Sequence, residues 1–454
     1  MCFRPAKPAL RCSKCHETIF CSQTCFGKAW SKWHKALCGI KWSEQGLSQQ
    51  DLTDAIMLIR VLMAIRDISN DKSSDQVRSS KGVAVKESLN ETSSIYSTLM
   101  THYDSITPTK KHRWREIARV LLTIPALSIW TVCKDPDEDA YDHLARHISL
   151  FHCNSFTVHD QHYDSIADGT FPFGSQFNHS CYPNCSLGFD FLQGREPLML
   201  IKAIEDISTG QELVISYIDG INGVAERQRH LKEHYYFTCQ CKRCSTQDFA
   251  WSRILGEMSL TDPTCDVVEQ IHDWHLQTAL VHILGNDIYQ PLQPMSSPLV
   301  TFATTVLQWL IPQVYSTANV DDLQSRAARS ITPKEALLPW LIPLNRYYDN
   351  LITDDTELDR HVNLLKTSLI VLAFYLVSYP RYHPMVGYQL VRVCSHMWNA
   401  LLAMEMNGEK PIWSEDVVKA WVEHSERVVR VAYEPDSESS QQLIMLKQVI
   451  DTDN

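Results

Sequence analysis

The sequence predicts an α+β protein in three parts: a small metal-bound N-terminal module, a β-rich middle and an all-α C-terminal region. Three observations carry this. Cysteines crowd into residues 2–38 and 181–244; branched apolar stretches separated by turn residues follow residue 150; helix-length apolar patterns run from residue 244 onward. At 454 residues the chain exceeds what one core organises, so two or three domains are expected.

The composition, 44% hydrophobic and 21% charged, is that of a globular chain and excludes wholesale disorder. With 42 bases against 53 acids the net charge is −11, which excludes a surface built to wrap nucleic acid. The N-terminus carries no signal-peptide apolar region, and the longest apolar run, residues 368–379, is too short for a bilayer. The expectation is a soluble intracellular protein of cytoplasm or nucleus, with no membrane partner. Six of the 15 cysteines lie in the first 38 residues and five between Cys181 and Cys244. In a reducing compartment such clusters read as metal ligands before disulfides.

Residues 1–38 are basic, with seven Lys/Arg against Glu17 alone. Their donors fall as Cys12-x2-Cys15, Cys21-x3-Cys25 and His34-x3-Cys38. Zinc takes four thiolate or imidazole donors, and short turns pre-position them in pairs. Six donors are too many for one ion and too few for two; Cys2 would be a seventh.

Residues 49–66 read as a helix with Leu52, Ile56, Ile59 and Met63 on one face, capped by Ser48 and Asp51. The Ser-rich stretch 70–94 reads as a mobile insertion. A second helix is expected over 112–123, ended by Pro125, and the acidic run 135–142 as a solvated loop or helix start. Residues 198–203 and 213–217 read as strands, with turn residues at 206–211 between them. Cys239-x-Cys241-x2-Cys244 supplies three thiolates, one short of a closed site; Cys181 or Cys185 could complete it. Beyond lie helical patterns at 266–284, 302–314, 358–377, 386–404 and 415–432, as in an antiparallel helical array.

Four motifs in this order resemble a SET domain followed by a post-SET zinc site: Phe177-Asn-His-Ser-Cys-Tyr-Pro-Asn184, Ile207-x-x-Gly210-x-Glu212, Ser216-Tyr-x-Asp219 and Tyr235-x-Phe-x-Cys-x-Cys-x-x-Cys244. The N-terminal cysteines with Trp30-x3-His34-Lys35 resemble a MYND finger. Together they resemble the SET-and-MYND lysine methyltransferases, over residues 2–38, loosely 39–150 and closely 150–246. His383-Pro-x-x-Gly-x-Gln389 is similar to that family's TPR-like C-terminal domain. The resemblance implies a MYND finger over 1–38, a helical SET insertion over 39–150, the core SET domain over 150–237, the post-SET motif over 238–250 and a TPR-like domain over 255–454.

It also implies ligand sets. On the family's interleaved pattern Cys12, Cys15, His34 and Cys38 form one complete zinc site, and Cys2, Cys21 and Cys25 an incomplete one. Cys181 would close the post-SET site with Cys239, Cys241 and Cys244. The fourth donor of the incomplete site would precede Met1, as would the family's Gly-x-Gly strand that backs S-adenosylmethionine. The expectation is a reading frame that extends upstream; a degenerate enzyme is the alternative. The segment between Cys25 and His34 is one residue longer than is usual in the family.

Methyl transfer to a lysine amine is an in-line displacement, and the amine must be neutral although its ordinary pKa is about 10.4. A narrow aromatic channel serves by desolvation and by oriented hydroxyl dipoles. The resemblance implies Tyr217 and Tyr235 as catalytic residues, and Asn154, Ser175, Asn178, His179 and Phe237 as residues holding S-adenosylmethionine. The implied substrate is a protein lysine, histone or not. MYND fingers bind Pro-containing peptides, whereas nucleic-acid binding would be weak here. A catalytically inactive scaffold, capturing peptides through finger and helical region, is the competing reading.

Overall fold

The computed structural model describes residues 10–70, 95–124, 139–160, 163–191, 198–245 and 358–452. Cys2, most of the Ser-rich stretch, the start of the acidic run and the helical patterns at 266–284 and 302–314 lie outside them. The chain divides into two compact units. One holds Met1–Asp160, Asp164–Phe177 and Gly188–Leu200; the other holds Gln161–Tyr163, Asn178–Leu187 and Ile201–Asn454. Among the described residues no helix is long and apolar enough to cross a membrane.

The first unit opens with a two-stranded antiparallel ribbon, β1 (Leu10–Arg11) and β2 (Ile19–Phe20). Helix α1 (Gln23–Ala29) follows, its start fixed by Ser22, whose hydroxyl accepts from the Cys25 amide. A single π-helical turn, Trp30–His34, separates it from the short α2 (Lys35–Leu37). Such a turn takes up one extra residue without breaking the helix. It lies within the segment expected to be one residue longer than usual.

Helix α3 (Gln49–Asn70) starts as its sequence predicts, with the Ser48 hydroxyl accepting from the Asp51 amide. Its buried stripe is rotated from expectation: Ala55, Leu58, Ile59, Leu62 and Met63 are inside, while Leu52 and Ile56 are half-buried. The reason is that α3 packs against three neighbours: the π turn, α4 (Pro108–Leu122) and α5 (Ala140–Asn154). Helix α4 begins at Pro108, four residues before the expected start. Thr107 caps it and the proline occupies the first turn, where its missing N–H costs nothing. Asp139 caps α5, and between the helices His152 meets the buried Asp54 carboxylate at 3.1 Å beneath the Trp114 ring. Strands β3 (Ser155–His159) and β4 (Ser165–Thr170) form an antiparallel pair.

In the second unit, β5 (Asn178–His179) runs parallel to β8 (Val214–Ile215). Cys185–Leu187 of β6 (Cys185–Asp190) and Ile201–Ala203 of its pairing partner β7 (Leu198–Ala203) also fall in this unit. The expected turn after β7 exists, with Gly210 at φ 84°, a conformation that favours glycine. Buried Asn184 ties the segments: its carbonyl accepts from Ile204 N–H, its Oδ1 from Val214 N–H, and its Nδ2 donates to Glu212 O, all within 2.9 Å. Helix α6 (Val224–His230), a second π turn (Leu231–Tyr235) and the short α7 (Lys242–Ser245) complete this part.

Among the described residues, four helices follow, each packed on the next: α8 (Leu358–Ser378), α9 (Pro384–Met406), α10 (Glu415–Ala432) and α11 (Glu438–Thr452). The His383 motif is a helix start. His383 Nδ1 accepts from the Met385 amide, Pro384 opens α9, Gly387 allows close approach of Tyr433, and Gln389 Nε2 donates to Ser368 O at 2.8 Å. The core here runs from Leu365 and Leu372 through Met397 and Leu401 to Trp421, and it includes Ile221.

Candidate functional site

Among the described residues, two groups of four donors converge. In the first unit, Cys12, Cys15, His34 and Cys38 bring their ligand atoms within 4.8 Å of one another. The Cys12 and Cys38 sulfurs stand 3.7 Å apart, and Cys15 Sγ lies 3.8 Å from His34 Nε2. A zinc–sulfur bond of about 2.3 Å puts sulfurs at tetrahedral corners about 3.8 Å apart, so the set fits Zn²⁺. Phe20, Trp30 and Trp33 surround the imidazole. Burial, with the charge of Arg60, lowers the His34 pKa and keeps the ring in its ligating neutral form. Burial works against the Cys15 thiolate, but hydrogen bonds from Thr18 and Glu17 outweigh it and hold the pKa down to about 7. The Cys21 and Cys25 sulfurs stand 3.2 Å apart, a second pair of donors.

In the second unit, Cys181, Cys239, Cys241 and Cys244 form the other group. Cys181 Sγ lies 3.5 Å from Cys244 Sγ and 3.9 Å from Cys239 Sγ, again the edges of a zinc tetrahedron. Cys185, the other possible donor, is buried in β6 outside the cluster. Gln228 clamps Cys239 by its main chain, accepting from the amide and donating to the carbonyl. The fully buried Arg227 points Nη2 at Cys244 Sγ (3.8 Å) and donates from Nη1 to Asn222 O (2.6 Å). Four thiolates around Zn²⁺ would leave two negative charges, which this guanidinium would offset.

An aromatic cluster stands on that site. The Tyr217 ring lies 5.0 Å from Tyr235, 6.5 Å from Phe237 and 5.2 Å from His179. The His179 Nδ1 accepts from the Tyr217 amide at 2.9 Å, so the ring proton sits on Nε2. That N–H donates to Cys181 Sγ, 3.2 Å away. Burial brings the His179 pKa down to about 4, consistent with a neutral ring. The Tyr235 hydroxyl donates to Tyr217 O at 3.3 Å. Burial, then the Glu212 charge, raises the Tyr217 pKa, so its phenol stays protonated and can donate. Exposed Asn178 donates from Nδ2 to Glu212 Oε1 (2.6 Å), leaving its own oxygen available as an acceptor.

The MYND finger family model matches residues 1–38 and the SET domain model residues 59–218. The two matches, with the relatives that follow, support a SET-and-MYND-like chain. It is 27% identical over 276 residues to "Histone-lysine N-methyltransferase SMYD3" of Mus musculus, covering 60% of this chain and 57% of that protein. It is 24% identical over 392 residues to "Histone-lysine N-methyltransferase ASHR1" of Arabidopsis thaliana, covering 84% and 74%. With "N-lysine methyltransferase SMYD2-B" of Danio rerio it shares 26% over 252 residues, 54% of this chain and 50% of that protein. The chain therefore spans little more than half the length of some of its relatives.

The expected residues fall into two sets. His179, Tyr217, Tyr235 and Phe237 cluster in the second unit, with Asn178 beside them in β5. Asn154 and Ser175 lie in the first unit, where Ser175 Oγ donates to the Asn154 carbonyl at 3.4 Å. The Asn154 amide is occupied, donating to Met100 O and Leu150 O. The four donors assigned to each complete site converge; Cys2 lies outside the described residues. Sequence reading missed Arg227, Gln228 and Arg243. Arg243 carried a signal, sitting between two ligand cysteines, while the other two lie in an ordinary amphipathic helix.

Proposed function

We propose that this SET-and-MYND chain is an S-adenosylmethionine-dependent protein-lysine N-methyltransferase, with Tyr217 and Tyr235 at the reacting centre. The observation that carries the reading is the Tyr217–Tyr235–Phe237 cluster, fixed by a neutral His179 to a four-thiol metal site. Three ring faces and the exposed Asn178 amide fit a cationic, aromatic cofactor. S-adenosylmethionine would supply an electrophilic methyl on a sulfonium; Asn178 and Phe237 would hold it directly, and His179 through the wall it fixes. The aromatic walls desolvate an incoming ammonium and favour its neutral, nucleophilic form. The Tyr217 phenol, protonated, offers a fixed dipole at neutral pH. The metal does no chemistry in this scheme. As a post-SET zinc it ties Cys181 to the segment carrying Tyr235 and Phe237. Sequence similarity to proteins named as histone-lysine and lysine methyltransferases supports the same reaction class. The helical region would be the TPR-like domain, and the finger a docking site for Pro-containing peptides.

Radiolabelled methyl transfer to candidate proteins by the purified protein tests this. Tyr217→Phe keeps the ring and its packing, and should lower the rate by about 10²-fold, as for loss of one oriented donor. Wild-type rates in that variant would move the chemistry elsewhere. No transfer by the wild type, together with peptide capture by finger and helices, would support a scaffold.

A further inference from the structure

The helical region reaches the loop after Tyr217 through one guanidinium and one phenol. Arg243 lies between the ligand cysteines Cys241 and Cys244. Its Nη1 donates to three carbonyls: Gly220 O and Ser378 O at 2.8 Å each, and Cys181 O at 3.2 Å. These oxygens belong to the loop after Tyr217, the C-terminal end of α8 and a metal-ligand residue. Beside it, the Tyr379 hydroxyl donates to Asp219 Oδ1 at 2.5 Å, an atom that also accepts from the Ile221 amide at 3.0 Å. Gly220 is pressed so close that a β-carbon there would stand 3.3 Å from Ser378 O and the Tyr379 ring. Ile221, next in line, is buried in the core of the helical region. Each of the three residues 219–221 is therefore attached to the end of α8 and the residue after it, or to the helical core.

We propose that Arg243 and Tyr379 are positioning residues, through which the helical region holds the Tyr217 loop in register with the thiol site. The inference rests on the methyltransferase reading for its effect on turnover, but not for the joint itself. A carbonyl at a helix end has no intrahelical donor, so a guanidinium there satisfies a group that would otherwise need water. One nitrogen shared among three segments makes their relative placement a single geometric condition. A displacement of about 1 Å at a reacting group can cost 10²-fold in rate, so loosening this joint should be visible in turnover.

The test uses the full chain with Tyr379→Phe, which removes one oxygen, and Arg243→Met, which keeps the stem and removes the donors. Hydrogen exchange of the 217–221 amides should speed up about 10-fold in each variant as local opening becomes easier. Methyl-transfer kcat should fall about 10-fold, with cofactor affinity and zinc content within about 2-fold of wild type. Arg243→Lys should recover part of the lost rate, since an ammonium still donates to carbonyls. The double variant should be little worse than the worse single one, because both act on one joint. Unchanged exchange at 217–221 in both single variants would overturn the proposal, as would loss of zinc in Tyr379→Phe. A wild type that transfers no methyl, yet whose variants exchange faster, would overturn the methyltransferase reading and support the joint.

Discussion

Both ring nitrogens of His179 are engaged within the protein, one by the Tyr217 amide and one by the Cys181 sulfur. On the proposed reading the side chain holds the wall of the site, and the exposed Asn178 meets the cofactor. The two substitutions should separate. His179→Phe fills the same space without either nitrogen and should weaken zinc retention by about 10- to 100-fold, as for loss of a hydrogen bond to a ligand. Asn178→Ala should leave zinc in place and weaken S-adenosylmethionine binding by about 10-fold, the worth of one hydrogen bond to a charged group. Chelator competition and calorimetry read the two effects. Normal zinc retention in His179→Phe would show that its sulfur contact carries no load. The motif singles out both residues in sequence. It does not reveal the tautomer, because the amide that fixes it is 38 residues away along the chain.

Each donor set is carried on an element with a π-helical turn or a tight main-chain clamp. The turn Trp30–His34 delivers His34 to Cys15, and the turn Leu231–Tyr235 ends in Tyr236 at φ 62°, separating Tyr235 from Phe237. Spacing alone predicted the chelating pairs, since short loops admit few other uses for paired thiols. It left Cys181 and Cys185 undecided, and that choice belongs to β6, which buries Cys185 away from the cluster. The rotated stripe of α3 has the same origin: periodicity predicts that a face exists, whereas three neighbouring elements decide which residues it contains. Purified under reducing conditions, the chain should hold at least about two zinc ions, one per closed tetrad. Cys239→Ser and Cys12→Ser should each release one. A wild-type content clearly below about two would mean that a tetrad does not close on zinc. Without an ion, hydrogen bonds with Cys241 and Cys244 push the Cys181 thiol up, so zinc uptake should also release protons.

For the molecule as a whole, acid lability should be set by histidines buried in the helical region, which no sequence motif marks. His396 is 7% exposed, with Ser368 Oγ 2.8 Å from its Nδ1. Burial, then the charges of Arg392 and His361, brings its pKa down to about 3; burial likewise brings His424 to about 3. The unfolded chain binds protons at these rings near pH 6.5 while the folded chain refuses them, so their contribution is complete above that pH. It is lost as pH falls toward 3, at about 1.4 kcal/mol per pH unit for each ring. Paired carboxylates do not compete in the upper part of this window. Asp51, Asp104, Asp142 and Glu426 are held below their ordinary values and lose their contributions only at lower pH. Glu205, which burial raises, acts in the opposite sense. The isolating variant is His396→Asn, whose amide can still meet Ser368 but does not titrate. Thermal unfolding at pH 7 and pH 5 should show a smaller loss of Tm in the variant than in the wild type. The difference should correspond to about 2 kcal/mol at pH 5, from the 1.5-unit interval below pH 6.5. Equal losses in the two proteins would mean that His396 takes up its proton without disturbing the packing of α8 against α9.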